Sequence, residues 1–288
     1  MVMNMIEIRP LTTALGAEVL GPDLSQPLSN MEFDTIHNAL LKHKVIFFRD
    51  QELTPEQHIA FARKFGLLDV HPYLPGLPGH EEVMPIVKEA DDARKVNIGG
   101  RWHSDTTFYE EPAMGSILYA LDVPEVGGDT MWANAGLAYA RLSAGLKATL
   151  ESLNALHSTQ NSFAAGGRLE VKGDDAGMAT MKLSTDDHEV KEVIHPVVRT
   201  HPETGEKILF VNPNFTIRFE GWSSEESQPL LAFLYEHTVR PEFLCRFRWQ
   251  KGSIAFWDNR CTQHMALNDY HGSRREMHRV TVRGDKPV

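Results

Sequence analysis

Short apolar and aromatic runs, broken by glycine, proline or polar turns, recur along this chain and confine it to a strand-rich architecture. Val45-Ile46-Phe47-Phe48 is an unbroken apolar run and reads as a buried strand. Residues 6–20 alternate, with turns at Gly16 and Gly21. Strand patterns return at 116–121 and 130–133, separated by Pro124 and Gly127-Gly128, and at 193–200 and 207–212, linked by a turn over 201–205. Three more follow at 244–249, 253–257 and 276–283. Few helices interrupt this series. Ser29-Asn30 followed by Glu32 opens one, with Phe33, Ile36, Leu40 and Leu41 on a single face. Thr54 caps a second, with Pro55 at its first position and Gly66 as its stop. Residues 135–153 and 225–237 carry the remaining helical patterns. The balance predicts a mainly β fold, a double-sheet barrel with helices packed outside. No repeat or linker divides the chain, so residues 1–288 read as one domain, with the polar, glycine-bearing stretch 161–187 as a loop or lid.

Composition narrows the class. A chain of 288 residues can bury a full core without staples. Its 29 Lys and Arg against 39 Asp and Glu give a net charge of -10, which argues against a nucleic-acid partner or an anionic membrane surface. A pocket can still gather arginines around a small anionic substrate. No segment approaches the run of about 18 apolar residues that a membrane span needs, and residues 1–10, with Glu7 and Arg9, do not read as a signal peptide. Two cysteines, Cys245 and Cys261, are too few for a disulfide framework and are not spaced like a zinc motif, so a reduced, cytoplasmic setting is expected.

Chemistry concentrates in two places. Trp102-His103-Ser104-Asp105 sets a histidine and a carboxylate two residues apart, and in an extended segment both point to the same side. Phe256-Trp257-Asp258-Asn259-Arg260 is followed by His264 and then Arg275. Two imidazoles and one carboxylate form a facial triad that suits iron(II) and leaves positions open. Arg275, eleven positions after His264, falls where an adjacent return strand would aim it at the same cavity. A guanidinium there grips a carboxylate bidentately. The same ligands also suit zinc, so a zinc hydrolase is one alternative, although no general base is identifiable and Arg275 goes unexplained. A barrel that binds metal without turnover is another.

The chain resembles the TauD/TfdA family of iron(II)/2-oxoglutarate oxygenases over nearly its whole length, from Gly16-Ala17-Glu18 to Gly284-Asp285-Lys286-Pro287. The resemblance is carried by His43-Lys44-Val45 with Phe48-Arg49-Asp50-Gln51, and by Trp102-His103-Ser104-Asp105-Thr106-Thr107-Phe108. It continues in Gly127-Gly128-Asp129-Thr130, His195-Pro196-Val197-Val198-Arg199-Thr200-His201-Pro202 and Trp257-Asp258-Asn259-Arg260. It implies a double-stranded β-helix, or jelly-roll, core. It also implies His103, Asp105 and His264 as iron ligands, and Arg275 with Thr130 as partners of the distal carboxylate of 2-oxoglutarate. His71 and Arg279 match positions that grip the substrate anion, Thr106 would supply a backbone amide, and Ser162, Phe163 and Phe215 match further pocket positions. His195 and His201 are expected to be structural.

The implied reaction consumes O2 and 2-oxoglutarate, releases succinate and CO2, and hydroxylates a small organic anion next to its heteroatom. Dimers and tetramers are common in the family, so a homo-oligomer is expected. Gly99 stands where the taurine enzyme has an asparagine, and Leu74 where it has a tyrosine, with Tyr73 next door. Losing amide and phenol donors makes an ammonium tail less welcome. The expected substrate is therefore an alkyl sulfonate, alkyl sulfate or aryloxyalkanoate, with taurine itself as the alternative.

Overall fold

The computed structural model describes residues 6–71, 74–92, 98–160, 162 and 190–288. Strands β1 (Glu7–Pro10) and β2 (Ala17–Leu20) lead into helix α1 (Asn30–His43), strand β3 (Val45–Phe48) and helix α2 (Pro55–Ala62). Strands β4 (Leu68–Asp69), β5 (Met84–Lys88), β6 (Gly115–Asp122) and β7 (Thr130–Asn134) follow, then helices α3 (Ala135–Ala140) and α4 (Ala144–Leu150). Strands β8 (Asn154–Ser158), β9 (Glu192–Pro196), β10 (Val198–Thr200), β11 (Lys207–Leu209) and β12 (Thr216–Phe219) precede helix α5 (Ser224–Thr238). Strands β13 (Leu244–Phe247), β14 (Ile254–Asp258), β15 (Thr262–Ala266) and β16 (Arg275–Val282) end the chain.

An eight-stranded sheet in the order β1-β2-β3-β14-β6-β16-β4, with β5 also on β16, faces a three-stranded sheet β13-β7-β15. This is the jelly-roll core. Residues on β3, β6 and β14 alternate between two apolar layers, as the period of two requires. Val45, Phe47, Leu118, Ala120, Ala255 and Trp257 point between the sheets and meet Trp132 and Phe247 of the smaller one. Ile46, Phe48, Ile117, Tyr119, Ile254 and Phe256 point outward, under Ile36 and Leu40 of α1 and Ile59 and Phe61 of α2. Both faces of β3 are covered, which is why its sequence is apolar without alternation.

Helices α1 and α2 begin where expected, each with a complete capping box, from Ser29 and Glu32 and from Thr54 and Gln57. The single helix expected over 135–153 is instead two. Ser143 accepts a hydrogen bond from the Leu146 amide and starts α4, and the chain then turns into β8. Strands β5, β8 and β12 escape sequence reading because Pro85, the helical pattern before β8 and the polar residues around β12 hide them. The lid reading of 161–187 lies outside the described residues, apart from Ser162. Among the described residues no helix is long and apolar enough to cross a membrane.

Candidate metal and cosubstrate site

His103 and His264 meet through an isolated antiparallel bridge between the segment before β6 and strand β15. The amide of each donates to the carbonyl of the other, at 3.1 and 2.8 Å, and Ala266 N–H donates to Gly99 O at 2.9 Å. The pairing sets the two imidazoles side by side, with ring centroids 4.2 Å apart. Asp105 reaches them from the first residue of a turn, not from a continued extended segment, and that turn brings its Oδ1 to 3.6 Å from His103 Nε2 and 3.9 Å from His264 Nε2. All three side chains are buried, and their ligand atoms lie within 4.8 Å of one another. His103 Nδ1 donates to Arg101 O at 2.7 Å, which leaves the Nε2 lone pair facing Asp105 and His264.

Asp105 is the most supported residue of the site. Its Oδ2 accepts from Ser116 Oγ at 2.8 Å and from Asn259 Nδ2 at 3.2 Å, while Oδ1 accepts from Arg279 Nη1 at 3.1 Å. The amide orientation of Asn259 is settled by its neighbours, because its Oδ1 takes the Asp105 and Trp257 Nε1 donors. Burial pushes the Asp105 carboxyl upward, but Arg279, His264 and His103 together hold it well below the ordinary carboxylate range. His264 is driven down to about 3 by burial and by His103, with Asp105 only partly compensating. An ionised carboxylate beside a neutral imidazole is the protonation state a divalent cation requires. The donor set therefore fits a resident metal.

Arg275 and Arg279 both lie on β16, and with Met277 they point between the sheets. Arg275 is only 6% exposed, yet its Nε and Nη2 meet no acceptor among the described residues. Its guanidinium lies 6.0 Å from the Trp249 ring and 5.9 Å from Tyr270. Burial lowers its pKa, against the raising influence of Tyr270 and Asp129. Asp129 is itself paired to Arg246 at 2.6 Å. A buried guanidinium without a counter-charge is costly, and a ligand carboxylate removes that cost. Thr130 Oγ1 accepts from Trp249 Nε1 at 3.0 Å, so its own O–H remains available to such a carboxylate.

The other side of the triad opens into a cavity lined by His71, Gly99, Thr106, Asn214, Phe215 and Arg279, among others. His71 Nδ1 accepts from Leu74 N–H at 3.1 Å, which puts the ring proton on Nε2, and burial with Arg279 nearby depresses its pKa to about 3. Thr106 adopts φ 52°, a strained conformation for a β-branched residue, held by Ala113 N–H on its hydroxyl and Tyr109 N–H on its carbonyl. The Thr106 amide donates to no acceptor among the described residues. Phe215 packs on Phe108 at 5.1 Å and edge-on to His103 at 6.3 Å. Leu74 is buried against Met84, with Ile86 and Ile98 beside it. Gly99 has φ +74°, and a Cβ there would sit 3.6 Å from His103 Cε1. Ser162 stands behind this surface, fully buried, with its hydroxyl on the Oδ1 and carbonyl of Asn214. Phe163 and Tyr73 lie outside the described residues.

His195 and His201 stay away from the triad. His195 Nε2 donates to Tyr109 O, and His201 Nε2 meets Asp258 Oδ2 at 3.0 Å. Asp258, His201 and Cys261 could by spacing ligate a second ion, but Arg260 already forks onto both carboxylate oxygens of Asp258. Sequence reading left Asn259, Ser116, Trp249 and Asn214 without roles. Asn259 lies inside a quoted motif, yet nothing local reveals that it serves a carboxylate 154 residues away.

Residues 7–281 match the family model described as "Taurine catabolism dioxygenase TauD, TfdA family". An alkylsulfatase of Acinetobacter baylyi is 38% identical across 98% of this chain and 86% of its own length. An alpha-ketoglutarate-dependent sulfate ester dioxygenase of Pseudomonas putida is 37% identical across 98% and 91%. The crystal structure of a taurine dioxygenase from Burkholderia xenovorans superposes with a TM-score of 0.82 at 39% identity, covering 98% of this chain and 91% of that one. With the triad, the buried Arg275 and the jelly roll already in place, the match leaves one conclusion: this chain belongs to the TauD/TfdA family and is a 2-oxoglutarate-dependent dioxygenase.

Proposed function

We propose that the enzyme holds iron(II) on His103, Asp105 and His264 and oxidises an alkyl sulfate or alkyl sulfonate at the carbon bearing the sulfur-containing head. The observation that carries this reading is the polarity of the cavity. Thr106, His71 and Arg279 contribute polar groups to its lining, while Leu74, Ile98, Phe108 and Phe215 make much of the wall apolar. That combination suits an anionic head on a hydrocarbon tail. Gly99 and Leu74 offer nothing to an ammonium group, which is why taurine is the less favoured substrate.

Arg275 and Thr130 would take the distal carboxylate of 2-oxoglutarate, and Asn259 and Ser116 keep Asp105 aimed. The metal, when bound, couples oxidative decarboxylation of 2-oxoglutarate by O2 to substrate hydroxylation, with one oxygen atom entering succinate and the other the product. Arg279, His71 and the Thr106 amide orient the substrate so that the carbon beside the head faces the triad, and errors of about 1 Å there cost on the order of a hundredfold. The hydroxylated sulfate ester then collapses to an aldehyde and sulfate; a sulfonate gives the aldehyde and sulfite.

The free cysteines, both buried, agree with a reduced cytoplasmic setting, and a homo-oligomeric assembly is part of the proposal. Succinate release under air, with iron(II) and ascorbate, is the test. The panel is no substrate, taurine, a medium-chain alkyl sulfonate, an alkyl sulfate and both aryloxypropionate enantiomers. Stimulation by the sulfate or sulfonate supports the proposal; preference for taurine rejects the tail reading, and absence of any turnover favours a barrel without catalysis.

A further inference from the structure

Asn214 is a polar residue of the cavity that neither the triad nor the cosubstrate explains. It sits in the turn before β12, where Asn212 Oδ1 accepts from the Asn214 and Phe215 amides at 3.1 and 3.0 Å. Asn212 is in turn tied to Thr107 and to Thr216. The loop therefore offers a firm base. Asn214 is 6% exposed, and Ser162 Oγ donates toward its Oδ1 at 3.1 Å. Its Nδ2 donates to no acceptor among the described residues, and the side chain lines the cavity shared with Arg279, Thr106 and His71. A buried amide with its oxygen anchored and its N–H2 group open to the cavity is a donor awaiting a ligand acceptor.

We infer that Asn214 is a specificity-determining donor that binds a terminal oxygen of a tetrahedral sulfur anion and so selects a sulfonyl head over a carboxylate; the inference rests on the function proposed above. A carboxylate presents two oxygens, whereas a sulfate or sulfonate presents three terminal ones. Arg279 and the Thr106 amide already offer enough donors for two oxygens. A third oxygen gives Asn214 its partner, and a carboxylate leaves that buried donor unpaired, a penalty of about tenfold to a hundredfold in selectivity. Ser162 acts through Asn214 as a positioning residue.

The test measures KM and kcat for a medium-chain alkyl sulfate, the matching alkyl sulfonate and an aryloxypropionate, at saturating 2-oxoglutarate. The wild-type enzyme should favour both sulfur anions. Asn214→Ala should raise KM for sulfate and sulfonate about tenfold while leaving KM for the carboxylate and for 2-oxoglutarate within about twofold. Asn214→Asp keeps the acceptor for Ser162, and hence the loop, but should weaken all three anions through charge repulsion, the sulfur anions most because they also lose the donor. Equal losses for sulfur and carboxylate substrates, or an unchanged sulfate KM, would overturn the inference while leaving the proposed function standing. A loss confined to the sulfate would assign the donor to the ester oxygen and overturn the terminal-oxygen assignment. A wild-type enzyme that turns over none of the three refutes both.

Discussion

Replacing Arg275 with methionine separates the cosubstrate carboxylate from every other anion in the site. Methionine approximates the buried stem beside Trp249 and Tyr270 without carrying a charge into the interior. In the wild-type protein the guanidinium Nε and Nη2 meet no acceptor among the described residues, and in the proposed role a bound carboxylate supplies one. In the variant, the same carboxylate loses its charged partner and keeps only the Thr130 hydroxyl. Removing one member of a buried, hydrogen-bonded charge pair costs about 2–5 kcal/mol, or about 30-fold to 5,000-fold in affinity. Because the unliganded arginine is itself unsatisfied, the upper half of that range is expected.

The first assay is the 2-oxoglutarate dependence of succinate release. The second is thermal stability. Wild type should gain about 2.7 kcal/mol when the ligand is 100-fold above its Kd, and Arg275→Met should lose that gain while the ligand-free protein melts no lower than wild type. Arg279 supplies the internal control. Four residue steps along β16 separate it from Arg275, about 13 Å at 3.3 Å each, so Arg279→Met, which removes a donor from Asp105 and from the substrate end, should raise the 2-oxoglutarate requirement far less than Arg275→Met does. An unaltered requirement in Arg275→Met, or a shift of that requirement onto Arg279→Met, would refute the assignment.

Other perturbations follow from the same contacts. His264→Ala should abolish succinate release and remove metal binding measured by calorimetry, whereas Asn259→Ala, which loosens Asp105 and frees the Trp257 indole N–H, should weaken metal affinity by about tenfold to a hundredfold; normal turnover in His264→Ala would rule it out as a ligand. Gly99→Asn is compatible with the left-handed backbone there and would project an amide beside His103, so KM for taurine should fall and KM for a long alkyl sulfate should rise, each about tenfold; unchanged ratios would disconnect Gly99 from the tail. His58, buried in the core with no ring-nitrogen partner of good geometry among the described residues, has its pKa depressed to about 3 by burial first and His278 second, against a raising influence of the Ile117 backbone. The unfolded chain, with an ordinary histidine pKa near ~6.5, then binds the extra proton, so His58 withdraws about 1.4 kcal/mol of stability per pH unit as pH falls from ~6.5 toward ~3. His58→Leu should flatten that part of the acid limb in urea midpoints measured between about pH 4 and 7, and an identical limb would show that other groups set it.

What the residue order determined alone was local. The capping boxes at Ser29 and Thr54, the doubly buried run at Val45–Phe48 and the shared face of Arg275 and Arg279 all follow from backbone periods and side-chain reach over a few residues. His103 and Asp105 were legible as a pair, although through a turn and not through strand alternation. The family motifs carried the rest of the expected roles, because they encode a tertiary arrangement that no spacing rule supplies.

Only the tertiary structure decided how these pieces act together. It closed the bridge between His103 and His264, brought Asn259 and Ser116 onto Asp105, flanked Arg275 with Trp249 and Tyr270, and moved Ser162 behind Asn214. Each of these contacts joins segments many residues apart. Strand order and sheet packing fix such contacts, and neither is written in any one stretch of sequence, since an apolar alternation specifies that a strand is buried but not which strand lies beside it.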